Sequence, residues 1–255
     1  MSIELFSLAG RRALITGASQ GIGLALATGL GRAGASLVIN GRDVAKLEAA
    51  SDGLRDKGLD VRAMAFDVTD QAATQAAISR IEVEEGPIDI LVNNAGMQRR
   101  GPLESFAAED WHAILRTNLD SVFFTSQAVA RHMIPRGRGK IINIASLMSE
   151  VARYGVGPYT ASKGAVKNLT KAMCTDWARH GLQVNAIGPG YFATPLNKAL
   201  SEDATFDQWL RQRTPAGRWG KVEELQGTAI FLASAAADFV NGQVIYVDGG
   251  ILATI

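Results

Sequence analysis

Sulfur ligands are scarce in this chain: its 255 residues hold one cysteine, Cys174. No disulfide can form within it, and no cysteine cluster exists to build a structural zinc site. The three histidines, His112, His132 and His180, share no metal-ligand spacing, so no metal centre is expected. An excess of one charge is missing too: 26 Lys and Arg face 25 Asp and Glu, for a formal charge of +1. A nucleic-acid partner, which asks for a concentrated basic stripe, is therefore not expected. No apolar stretch approaches the roughly 18 residues of a membrane-crossing helix. Met1 to Gly10 carries Glu4 and lacks a basic stretch followed by an apolar run. No secretory signal or membrane partner is expected, and the cytoplasm is the expected location.

Hydrophobic residues are ordinary at 47%, which excludes wholesale disorder. Glycine is abundant, 27 residues, and an excess of it suggests loops where backbone approaches a ligand closely. Short apolar runs at Arg12–Thr16, Ser36–Asn40, Val61–Phe66, Ile88–Val92, Lys140–Ala145, Gln183–Ile187 and Gln243–Val247 read as seven strands. Helical patterns lie between them. Ile22, Leu26, Leu30 and Ala33 share one face, Val44–Lys57 follows Asp43 as a candidate cap, and the longest stretches are near Ser121–Met133 and Thr160–Arg179. Strands alternating with helices predict an α/β fold, a doubly wound, mostly parallel sheet with helices on both faces. No linker composition divides the chain, so one domain over 1–255 is expected. The least regular stretch, Gly188–Gly220, reads as a lid or substrate loop.

The first strand runs into Thr16-Gly17-Ala18-Ser19-Gln20-Gly21-Ile22-Gly23 and then a helix. Glycines there permit a tight turn and close approach of backbone N–H groups to a pyrophosphate, and the helix N-terminus adds its positive dipole end. Strand two ends in Asn40-Gly41-Arg42-Asp43, with no acid at its tip. Arg42 is placed to pair with a 2′-phosphate, which favours NADP over NAD. By counting, Asp43 competes as a ribose ligand; its reading here is a helix cap. Tyr159 and Lys163, four apart on one helix, share a face. An ammonium beside a phenol favours the phenolate, so Tyr159 is expected to be unusually acidic and able to move a proton at a carbonyl or alcohol oxygen. Ser146, just past a strand end, can hold that oxygen.

Together these motifs resemble the short-chain dehydrogenase/reductase family over almost the whole chain. Thr16–Gly23 is similar to its TGxxxGxG motif and Asn93-Asn94-Ala95-Gly96 to its NNAG motif. Asn118, Ser146, Tyr159 and Lys163 match its catalytic tetrad, with Ser and Tyr 13 residues apart. The resemblance implies a Rossmann fold and a dinucleotide held by Gly17, Ser19, Gln20, Gly21, Ile22, Gly23 and Arg42. It adds Asp67 and Val68 beside the adenine, Asn94, Ala95 and Gly96, then Tyr159, Lys163, Pro189, Gly190 and Thr194. It implies that Asn118 supports a water relay to Lys163, and that subunits pair through the two long helices into a homotetramer. Phe6–Gly10, Asn93–Arg100, Lys163–Lys171, Arg213–Gly220 and Asp238–Gly242 are similar to a branch of the family that interconverts D-gluconate and 5-keto-D-gluconate. Met148 departs from that branch, which tends to carry Gln there. The implied partner is a small sugar acid, with Arg100, Ser146 and Tyr159 as its contacts. Reduction of 3-oxoacyl groups on a carrier protein, or of another sugar or polyol, stays open, as does an NADP-binding regulator without turnover. Of the remaining arginines, Arg99 and Arg100 read either as anion ligands or as a solvated loop pair, and Arg136 and Arg138 as a solvated turn.

Overall fold

The computed structural model describes residues 4–254, so Met1–Ile3 and Ile255 of the expected 1–255 domain lie outside the described residues. The strands are β1 (Arg12–Ile15), β2 (Ser36–Gly41), β3 (Val61–Ala65), β4 (Ile90–Asn93), β5 (Gly139–Ile144), β6 (Leu182–Pro189) and β7 (Val244–Val247). They form one sheet in the order β3-β2-β1-β4-β5-β6-β7. Every pairing is parallel, so the sheet is fully rather than mostly parallel. The helices are α1 (Gly21–Arg32), α2 (Val44–Arg55), α3 (Gln71–Glu84), α4 (Ala108–Leu115), α5 (Ser121–Arg136), α6 (Gly157–Trp177), α7 (Lys198–Ser201), α8 (Ala204–Arg213) and α9 (Gln226–Ala233).

Side-chain alternation explains why the strands are apolar throughout. In β1, Ala13 and Ile15 point into a core built with Leu26 and Leu30 of α1, Leu47 and Leu54 of α2 and Leu232 of α9. Leu14 points the other way, onto Ile78 and Ile81 of α3, Val129 and Met133 of α5 and Met173 of α6. β2 and β4 repeat the pattern, with Val38 and Leu91 on the second face. Both faces are therefore dry, and removing a side chain such as Leu14 would cost about 2–5 kcal/mol. The order reverses between β1 and β4, which opens a crevice beyond their C-terminal ends.

Two expectations change in three dimensions. Arg136 is no solvated turn residue: its guanidinium donates twice to Glu82, at 2.6 and 3.1 Å, and once to the Ile88 carbonyl at 2.9 Å. Charge-assisted paired bonds tie the end of α5 to α3, which the neighbouring Gly137 disguises in sequence. Arg138 stays exposed and pairs with Asp89 at 3.4 Å. The stretch 188–220 is more regular than its composition suggests. After the end of β6 it holds α7 and α8, and Asp203 caps α8 through the amides of Thr205 and Phe206.

Candidate active site

Three loops meet at the crevice. The turn after β1 is locked to the turn after β4 by Thr16, whose Oγ1 accepts from the amides of Asn94 at 3.0 Å and Ala95 at 3.1 Å. Asn94 answers by donating its side-chain amide to the carbonyls of Thr16 and Gly17, both at 2.9 Å. Asn94 thus acts as a strut between loops, a role its expected place among the cofactor residues did not include. Glycine is required for this packing. Gly17 has φ +62°, and a Cβ on Gly23 would lie 2.4 Å from the Asn94 Nδ2 and 2.5 Å from the Gly17 carbonyl. Below Asn94, Asn93 donates to Ser126 and Asn143, and Asn143 to Thr170, a buried polar chain joining β4, β5, α5 and α6.

The cleft over these loops has a volume of about 880 Å³. Gly17, Ser19, Gln20, Gly21, Ile22 and Gly23 form one wall. Arg42, Asp67 and Val68 stand at one end, and Asn94, Ala95, Gly96, Tyr159, Lys163 and Thr194 continue toward the other. Pro189 and Gly190 are not on the wall; Gly190 is small because a Cβ would sit 2.7 Å from the Asp248 Cα. Helices α2 and α3 are capped by the carboxylates of Asp43 and Asp70, but no side chain caps α1. Its first-turn amides line the cleft, where an anion would find them. A glycine cradle, uncapped amides and no acid on the α1 turn fit a dinucleotide pyrophosphate.

At the β2 end, Asp43 caps α2 by accepting from the Lys46 amide at 3.1 Å, as expected. Arg42 is 71% exposed at the side chain and reaches Asp67 at 3.5 Å. Burial alone would raise the Asp67 carboxyl, but hydrogen bonds from the Thr69 amide and hydroxyl, with the Arg42 charge, hold it below its usual range. Lys46 also lines the cleft and was passed over in the sequence. Its signal was there: it stands four residues after Arg42, in the first turn of α2.

At the other end, Tyr159 and Lys163 project from α6. The Lys163 Nζ is 5.7 Å from the centre of the Tyr159 ring and donates to the Ile144 carbonyl at 2.6 Å. Burial lowers Lys163 to about 8. Tyr159 is shifted opposite to expectation: burial raises its hydroxyl above the ordinary value, and a hydrogen bond with Ser146 offsets part of this. Desolvation dominates because the phenolate would be made in a dry pocket, and the neighbouring Tyr191 raises it further. Ser146 is held by the Met148 amide at 3.1 Å. Its loop is fastened to α6 by Ser149, donating to the Lys163 carbonyl, and by Glu150, which takes bonds from Lys167 at 2.5 Å and Tyr246 at 2.7 Å. Sequence reading gave Ser149 and Glu150 no such part.

Asn118 lies in a π-helical turn, Arg116–Asp120, between α4 and α5. Such turns carry one surplus residue and push a side chain out of register. Its Oδ1 accepts from the Met97 amide at 2.8 Å, and its Nδ2 donates to the Met97 carbonyl at 2.9 Å and Ser162 at 3.1 Å. Both side-chain N–H donors are thereby used, which ties Asn118 to the NNAG loop and to α6. The arginine pair also divides. Arg99 is bound to Asp110 at 2.8 Å, whereas Arg100 stands near Arg153 and Tyr191.

A family profile described as enoyl-(acyl carrier protein) reductase matches residues 17–252. The chain belongs to the short-chain dehydrogenase/reductase family. Among relatives in this family, it is 60% identical over 252 residues to a gluconate 5-dehydrogenase of Gluconobacter oxydans (strain 621H), covering 99% of this chain and 98% of the relative. It is 52% identical to a 5-keto-D-gluconate 5-reductase of Escherichia coli (strain K12), covering 99% of both. A crystal structure of a gluconate 5-dehydrogenase from Burkholderia cenocepacia J2315 in complex with NADP and tartrate superposes with a TM-score of 0.97. That short-chain enzyme is 58% identical, and 99% of each chain is covered. No helix among the described residues is long and apolar enough to cross a membrane.

Proposed function

We propose that this protein is an NADP-dependent oxidoreductase that interconverts D-gluconate and 5-keto-D-gluconate. The observation that carries the chemistry is Tyr159 and Lys163 at one end of the glycine-walled cleft, with Ser146 beside Tyr159. The full-length likeness to enzymes of that name supports the substrate. When bound, the nicotinamide supplies or accepts the hydride at C5. Ser146 donates to the substrate oxygen and orients it. In reduction Tyr159, a phenol placed beside the reacting oxygen, delivers its proton to the C5 oxygen. Lys163, with its charge near the ring, stabilises the phenolate that remains. In oxidation the same phenolate takes the hydroxyl proton back. Arg42, with Lys46 behind it, holds a 2′-phosphate, and Arg100 attracts the sugar carboxylate.

The protein acts as a single domain in the cytoplasm and as a homotetramer paired through α5 and α6. Phe123 on α5, more than a third exposed, supports that pairing, and sedimentation of an active monomer would exclude it. The function is tested by NADPH-linked assays across sugar acids, polyols and acyl thioesters. Preference for 5-keto-D-gluconate is expected. Preference for acyl thioesters would move the protein to carrier-linked reduction, and no turnover of any ketone would make it a regulator.

A further inference from the structure

The walls around Tyr159 carry polar atoms that the proton path leaves without a role. Tyr159 packs into a small cluster with Tyr191, Phe206 and Trp219. Tyr191 is the hub: its ring meets Phe206 at 5.5 Å, Trp219 at 5.9 Å and Trp209 at 6.3 Å, each edge-on. Three rings fix this tyrosine, yet its buried hydroxyl has no hydrogen-bond partner among the described residues. Arg153 comes from the loop after Ser146. Its guanidinium lies over the Phe206 ring, 4.9 Å from the ring centre, and its buried Nε also has no partner among the described residues. Arg100 adjoins both: burial lowers its guanidinium, the Arg153 charge lowers it further, and Tyr191 opposes this.

Stacking on Phe206 explains where Arg153 sits, but it leaves an N–H donor buried and unused. Buried donors are nearly always satisfied, and a guanidinium beside a second cation gains most from an anion. Trp219, by contrast, has its donor satisfied by Asp207 at 2.7 Å, so it serves as a wall.

We propose that Arg153 and Tyr191 form, with Arg100, the carboxylate-reading end of the substrate site, and that they set the preference for sugar acids over neutral sugars. This deepens the sugar-acid reading and rests on it. Arg153, held over the Phe206 ring, presents its free Nε–H to one carboxylate, and the Tyr191 hydroxyl donates to the same group. The hydrophobic cage keeps water off the ion pair and, because Tyr191 and Tyr159 pack on one cluster, holds the carboxylate near Tyr159.

The test compares Arg153→Gln, Arg153→Lys and Tyr191→Phe with wild type, each checked by thermal melting. With NADPH, kcat/KM is measured for 5-keto-D-gluconate and for a neutral ketose of equal length. In Arg153→Gln the charged-to-neutral ratio should fall roughly 10- to 100-fold, mainly through KM. Arg153→Lys should recover part of this, and Tyr191→Phe should lose several-fold. Calorimetric binding of tartrate to the NADP-loaded protein gives a readout free of turnover, and its Kd should rise in Arg153→Gln. Equal losses on both substrates, or an unchanged tartrate Kd in a folded variant, would overturn the proposal. If wild type reduces no sugar acid, the functional reading fails, and the tartrate Kd still decides the role of Arg153.

Discussion

Along the glycine wall of the cleft, position is set by the main chain: Thr16 and Asn94 stitch the turns after β1 and β4 together through carbonyls and amides, and glycines let them touch. At the far end, position is set by rings: Tyr191, Phe206, Trp209 and Trp219, all from the stretch 188–220, lean on one another. Backbone stitching tolerates almost no change of residue and binds a ligand part that is the same in every reaction. Ring packing can be rearranged residue by residue while it keeps its volume. The first suits a cofactor and the second a substrate. Tyr159 stands at the join.

That contrast can be broken by substitution. The largest effect is expected at the join: Tyr159→Phe should lower kcat at least ~10²-fold, with NADPH affinity by fluorescence titration unchanged. Near-normal kcat would remove Tyr159 from the proton path. Arg42→Ala should come next, weakening NADP roughly 10- to 100-fold while sparing NAD and the sugar KM. Equal loss of both nucleotides would reduce Arg42 to a partner of Asp67. Gly23→Ala forces the Asn94 strut aside and should cost about 1–3 kcal/mol in urea unfolding, with weaker cofactor binding. An unchanged midpoint would mean the stitched end is as adaptable as the ringed one.

The last effect is of similar size and opposite sign. Below about pH 8, Lys163 is protonated in both the folded and the unfolded chain, and the folded chain bears the cost of burying it. The unfolded amine releases its proton only near 10.5. Between these values the unfolded chain holds the extra proton, so wild-type stability rises with pH. Lys163→Met should therefore be inactive yet more stable at pH 7, by about 1–3 kcal/mol, with the gap closing toward pH 10. A destabilised variant at pH 7 would show that the bond to Ile144 outweighs burial.

The same division decides what could be read from the residues. Gly17, Gly21 and Gly23 are legible because a main-chain cradle needs glycine at fixed spacing. The strands are legible because both faces of a parallel sheet must be apolar. Tyr159 and Lys163 follow from one helical turn, but the sign of the Tyr159 shift does not, since burial is a property of the surrounding fold. Arg153 and Tyr191 leave no pattern: their meeting is made by α8, which lies across from both. Asn118 could be named from its motif, while the bonds that occupy its side chain depend on a loop 21 residues earlier.

The π turn at Arg116–Asp120 makes the site depend on a count as well as on identities. Helices α4 and α5 are one rod carrying a single residue too many. Deleting Thr117 would let the rod close into an unbroken α-helix, turning all that precedes the gap by about 100° about its axis. Such a chain would keep Asn118, Ser146, Tyr159 and Lys163, and an alignment would score it as intact. Its NNAG loop would nonetheless lose its anchor at Met97, so here a one-residue gap is a more serious change than most substitutions.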